Sequence, residues 1–128
     1  MSRILVVDDE RDILLLLQET LTGCGHTVTG AVSGAEAMDF LVRQELDLLI
    51  LDLRMPDFSG IDLLHWVRER YKGLPVIVCT AYPALKNDFT LWESHVAAFV
   101  TKPIDMPNLI AEVSQALGQA GTDKQAMA

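Results

Sequence analysis

At 128 residues, half of them apolar, the chain is one domain's worth and has the material for a hydrophobic core, which excludes disorder. A formal charge of −8 speaks against direct contact with nucleic acid, whose phosphates call for a basic face. No apolar run approaches the roughly 20 residues of a membrane span, and Arg3 precedes too few apolar residues for a signal peptide.

Taken in order, the chain opens with Ile4–Val7, a short run that reads as a strand buried on both faces and ends directly in Asp8 and Asp9. A helix is predicted over 11–23, with Ile13, Leu16, Leu17, Leu21 and Cys24 as its buried stripe and Leu14 and Leu15 outside it. The next run, Thr27–Val32, is the most polar of the strands and suits a sheet edge. Ser33 caps a helix over 34–44. Leu46–Leu53 is the third strand and carries Asp52 at its end. Ser59 caps a helix over 60–71, in which Trp66 lies between Leu64 and Val67, a pattern that leaves its burial open. Val76–Thr80 is the fourth strand, a fourth helix is predicted over 84–94, and Ala97–Thr101 is the fifth strand. Pro107 suits the first turn of a last helix over 107–118 and Gly118 its end. Residues 119–128 have no apolar periodicity and are expected to be a flexible tail or linker stub after a domain spanning 1–118. Cys24 and Cys79 lie in unlike contexts, as expected for reduced, buried thiols in a cytoplasmic protein.

Strands alternating with helices imply an α/β fold, a parallel sheet covered on both faces. Right-handed crossovers allow a doubly wound, flavodoxin-like order of 2-1-3-4-5, whose crevice lies where the C-terminal ends of strands 1 and 3 meet. Asp8, Asp9 and Asp52 therefore converge. Two like charges about 4 Å apart cost roughly 4 kcal/mol at an effective dielectric near 20, so a third carboxylate calls for a raised pKa or a cation. The dipole of the first helix explains one aspartate at its N-terminus, but not two. Oxygen donors without His or Cys suit magnesium rather than zinc. Thr80 and Lys102, at the ends of strands 4 and 5, add a hydroxyl and a point charge, an inventory that suits a phosphoryl group.

In "DD" at 8–9, "DLRMPDFSG" at 52–60, "TA" at 80–81 and "KP" at 102–103, the chain resembles the receiver domain of two-component response regulators over about residues 1–118. The resemblance implies that Asp52 accepts phosphate from a histidine kinase or a histidine phosphotransfer protein. It implies Mg²⁺, with Mn²⁺ as a substitute, held by Asp8, Asp9, Asp52 and the Arg54 carbonyl. Lys102, Thr80, Ala81 and Phe99 would bind the phosphoryl group and relay its presence, and the Lys102–Pro103 bond would be cis. Arg54 and Tyr82 would flank the crevice and tune attack by water, while Met55, Pro56 and Gly60 shape the loop. The output would be read on the face made by the fourth helix, the fifth strand and the last helix, by a separate protein or an attached domain. Such a domain is a signalling switch rather than an ordinary enzyme, although it assists its own phosphotransfer and dephosphorylation. It acts as a monomer, or as a dimer once phosphorylated.

The chemistry stands beside the resemblance. A carboxylate needs no general base to act as nucleophile, and phosphoryl transfer rests mainly on alignment and charge neutralisation. Leu14 and Leu15 are expected either to dock a partner's helices or to be partly buried with no such role. Phe89 with Trp92 is expected in the core or on an output surface. His26, His65 and His95 are read as neither ligands nor catalysts. An aspartyl-phosphate hydrolase would need a second aspartate where Arg54 stands. A flavin carrier would need a hydroxyl- and glycine-rich loop where "DDERD" stands, and a receiver-like module that takes no phosphate is at odds with the complete set of site residues.

Overall fold

The computed structural model describes residues 2–54, 59–81 and 96–127, with side chains to residue 118. The helix expected over 84–94 and the readings of Met55, Pro56, Tyr82, Phe89, Trp92 and His95 lie outside the described residues. The elements are β1 (Arg3–Val7), α1 (Arg11–Gly23), β2 (Thr27–Ala31), α2 (Gly34–Arg43), β3 (Leu48–Asp52), α3 (Gly60–Arg70), β4 (Val76–Thr80), β5 (Ala98–Thr101) and a C-terminal helix (Met106–Met127).

All strand pairs are parallel, and the sheet order is β2-β1-β3-β4-β5. The apolar strand residues split by parity, as a pleated strand requires. Leu5, Val7, Leu49 and Leu51 face one core layer with Ala37 and Leu41 of α2 and Leu63 and Val67 of α3. Ile4, Val6, Leu48 and Ile50 face the other, under α1 and the C-terminal helix. Each fully buried leucine or isoleucine contributes about 1.5–3 kcal/mol, so these two layers supply most of the drive to fold. β2 is one of the two edge strands, and its first residues are only partly covered, which explains its polar sequence.

Local chemistry sets the helix starts. Ser33 Oγ accepts from the Glu36 N–H at 3.2 Å and Ser59 Oγ from the Asp62 N–H at 3.4 Å, so both predicted caps are present. The Arg68 guanidinium donates to the carbonyls of Tyr71, Lys72 and Leu74, which fixes the turn from α3 into β4. Gly60 donates its N–H to the Leu53 carbonyl, and a Cβ at Gly60 would run into the Leu53 backbone. Only glycine allows that approach, which closes the base of the loop after β3.

The structure corrects the first helix. Its buried residues are Leu14, Leu17 and Leu21, whereas Leu15 and Leu16 are 56% and 48% exposed. Leu17 and Leu21 of the expected stripe are buried and Ile13 packs partly against the same layer, but Leu14 takes the place of Leu16. There α1 crosses Gly30 of β2, at which a Cβ would lie 2.7 Å from Gln18 Nε2 and 3.1 Å from Leu14 Cδ1. Leu14 is therefore a core residue and is unavailable for docking. Cys24 is exposed, not buried, because it follows the last turn of α1, next to Gly25 at φ 97°. Cys79 is buried as expected. Trp66 is half-buried, with its ring 6.1 Å from that of Tyr71 and the Arg70 guanidinium 4.4 Å from its centroid. The last helix passes through Gly118 and continues to Met127.

Candidate functional site

Register puts the charged residues together. Val7 lies beside Leu51, so Asp8 and Asp52, the next residues, are neighbours at the C-terminal edge of the sheet. The Asp8 N–H donates to the Ala31 carbonyl at 3.0 Å, which carries the ladder one residue past β1. At the far side Thr80 lies beside Thr101, and the Lys102 N–H donates to the Thr80 carbonyl at 2.8 Å. Asp8, Asp52 and Lys102 follow Val6, Ile50 and Val100, which all face the α1 side. Parity therefore aims the three side chains into one space.

There the Lys102 ammonium donates to Asp8 Oδ2 at 3.0 Å, Asp52 Oδ2 at 3.1 Å and Glu10 Oε1 at 3.3 Å. The second oxygens of the two buried carboxylates are engaged as well. Asp8 Oδ1 accepts from the Glu10 N–H at 2.9 Å, and Asp52 Oδ1 from the Arg54 N–H at 3.0 Å. The side chains of Asp8 and Asp52 are 2% and 5% exposed and that of Lys102 is 10% exposed, so water screens these contacts little.

Burial pushes the Asp8 carboxyl above the usual carboxylate range, against the opposing pull of the Glu10 N–H and of Lys102. Burial alone would lower the Lys102 value, but its hydrogen bonds to Asp8 and Asp52 and their negative charge hold it above the ordinary one. Burial also lifts the Cys79 thiol to about 12, with Lys102 opposing and the two aspartates adding to the rise.

A pocket of about 190 Å³ opens above these groups, lined by Asp9, Glu10, Asp52, Arg54, Thr80, Ala81 and Lys102. Thr80 is buried, while Asp9 and Ala81 sit exposed at the rim. Among the described residues, one carboxylate oxygen each from Asp8, Asp9, Glu10 and Asp52 lie within 4.8 Å of one another. An all-oxygen set with two buried members fits a hard divalent cation, which would neutralise charge that Lys102 alone leaves in excess. Phe99 is half-buried and packs against the α2–α3 layer. The Lys102–Pro103 bond is cis. His26 Nδ1 accepts the Ser2 N–H at 3.3 Å, a structural contact remote from this pocket. Glu10 was given no role by sequence reasoning, since its contact with Lys102 spans 92 residues.

The response regulator receiver domain family matches residues 4–114 of this chain. The chain belongs to that family. Among relatives of this receiver domain, the transcriptional regulatory protein GlrR of Escherichia coli (strain K12) is 36% identical over 119 residues, covering 93% of this chain and 27% of GlrR. The response regulator protein PilR of Pseudomonas aeruginosa is 36% identical over 116 residues, covering 91% of this chain and 26% of PilR. The chain thus spans about a quarter of the length of the curated relatives it matches. Among solved structures, the response regulator TrrA of Thermotoga maritima, in complex with Mg²⁺ and BeF, superposes with a TM-score of 0.84 at 34% identity, covering 91% of this chain and 99% of that one. This is a signalling domain with the receiver fold, and no helix among its described residues is long and apolar enough to cross a membrane.

Proposed function

We propose that this receiver domain is a phosphoacceptor switch in which Asp52 takes a phosphoryl group from a phosphohistidine donor. The observation that carries the reading is the ammonium of Lys102 bonded to Asp8 and Asp52 together at the floor of an acidic pocket. An Asp52 oxygen attacks phosphorus, the bond to the donor nitrogen breaks, and the imidazole leaves with the electron pair. Each Asp52 oxygen accepts one hydrogen bond and keeps a lone pair for attack. Lys102 neutralises charge on the transferring group, and Thr80 offers a hydroxyl from the pocket wall. The resulting acyl phosphate is later cleaved by water, regenerating the carboxylate and releasing phosphate.

Asp8, Asp9, Asp52 and the Arg54 carbonyl would hold Mg²⁺, and the all-oxygen cluster supports that choice. The ion, when bound, neutralises phosphoryl charge as a Lewis acid. Arg54 and Tyr82 would govern access of water to the acyl phosphate. Leu15, exposed on α1 and joined there by Leu16, supports docking of the phosphodonor beside the pocket. Thr80 and Phe99 would convey phosphorylation to the face of β5 and the helices beside it, shifting a two-state equilibrium. GlrR is named a transcriptional regulatory protein and is far longer than this chain, which supports an output domain or partner protein as the recipient.

Incubation with a small acyl phosphate and Mg²⁺ should add one phosphoryl mass to the intact protein, as read by mass spectrometry. The adduct should be absent with chelator and in Asp52→Asn. An adduct that forms equally well in chelator, or in the variant, would overturn the proposal.

A further inference from the structure

The Lys102 ammonium has three N–H donors, and the structure gives each of them a carboxylate: Asp8, Asp52 and Glu10. A phosphoryl oxygen can reach Lys102 only by displacing one of the three. Asp8 and Asp52 are buried, so either would keep a single backbone N–H donor and lose its counter-ion where water screens little. The Glu10 side chain is 59% exposed, and water replaces a lost donor there at little cost. Glu10 is the acceptor that gives way.

Building on the phosphoacceptor reading above, we propose that Glu10 is a positioning residue for Lys102. Its carboxylate takes the third donor of the ammonium at the pocket floor and gives it up to an anionic group that binds at Asp52. Glu10 is otherwise dispensable to the fold. It stands at the N-cap of α1 without a side-chain capping bond, and its one contact to Asp8 is made by its backbone N–H, which any residue keeps.

The test uses Glu10→Ala, which removes contact and charge, and Glu10→Asp, which keeps the charge but is a methylene too short to hold the ammonium. Two quantities are read: beryllofluoride affinity at saturating Mg²⁺, by calorimetry, and proton exchange of the Lys102 ammonium without metal, by nitrogen-15 NMR. Because an exposed ion pair is weak, both variants should bind beryllofluoride about two- to fivefold more tightly and exchange the Lys102 protons faster by a similar factor. If Glu10→Asp behaves as wild type while Glu10→Ala does not, charge alone acts and the proposal is wrong. Unchanged exchange in both variants overturns it equally. The exchange measurement needs no anion, so it tests Glu10 even if wild type fails to bind beryllofluoride, a result that would instead sink the phosphoacceptor reading.

Discussion

Replacing Lys102 by methionine keeps the bulk of the side chain and removes its charge. The ammonium lies 3.0 Å from Asp8 Oδ2 and 3.1 Å from Asp52 Oδ2, with all three side chains at most a tenth exposed. Removing one partner of such a buried set costs about 3–5 kcal/mol, because the carboxylates keep their desolvation and lose their counter-ion. Domains of this kind are stable by about 5–15 kcal/mol, so the variant should still fold. The pH dependence has a fixed sign. The folded-state value of Lys102 is raised, so its contribution is fully present below its unfolded value of 10.5 and is lost only as pH rises through the folded one. The Asp8 value is raised too, so its ionisation disfavours the fold as pH rises from 3.8 through the folded value. At pH 8 the variant should therefore carry the full penalty, and at pH 5 a smaller one, because Asp8, already raised by burial, is raised further once the opposing pull of Lys102 is gone. Urea unfolding with chelator present, followed by circular dichroism, should show the midpoint fall by about 2 M at pH 8. Millimolar Mg²⁺ should recover part of the loss by taking over the neutralisation. A cost below about 1 kcal/mol, equal at the two pH values, would refute the reasoning.

Three further outcomes follow from packing. A thiol reagent should modify Cys24 at once in the native protein, while Cys79, buried and lifted to about 12, should react only on unfolding; two rapid equivalents would contradict this. Leu14→Ala should cost about 2–5 kcal/mol, against about 0.5 kcal/mol or less for Leu15→Ser or Leu16→Ser, and equal losses in urea midpoint would undo the corrected stripe. Gly60→Ala should cost about 1–3 kcal/mol as its methyl displaces the Leu53 backbone, and an unchanged midpoint would show that this approach has slack.

The sheet was legible because each strand is a short run, mostly apolar, between helix-length stretches, and right-handed crossovers allow the order that the structure has. The convergence of Asp8, Asp52 and Lys102 was legible for the same reason, since all three end strands at one edge. The phase of α1 was not. Ile13 to Leu17 are all apolar, so periodicity within the run is ambiguous, and the close approach of Gln18 and Leu14 to Gly30, on another element, leaves no mark within the run itself. Cys24 was misplaced by extending the stripe past the turn that ends the helix. Beyond Gly118 the chain is rich in alanine and glutamine, good helix formers that carry no apolar stripe, and apolar periodicity reports burial rather than helicity. Glu10 escaped because its partner arrives from the other end of the chain, a contact that exists only once β5 is in place.

The most direct test of the account traps the acyl phosphate chemically. After phosphorylation from a small acyl phosphate with Mg²⁺, borohydride reduction converts a phosphorylated aspartate to homoserine, which peptide sequencing by mass spectrometry then locates. The account predicts homoserine at position 52 alone. Homoserine at position 8 or 9, or none at all in folded protein, would contradict it.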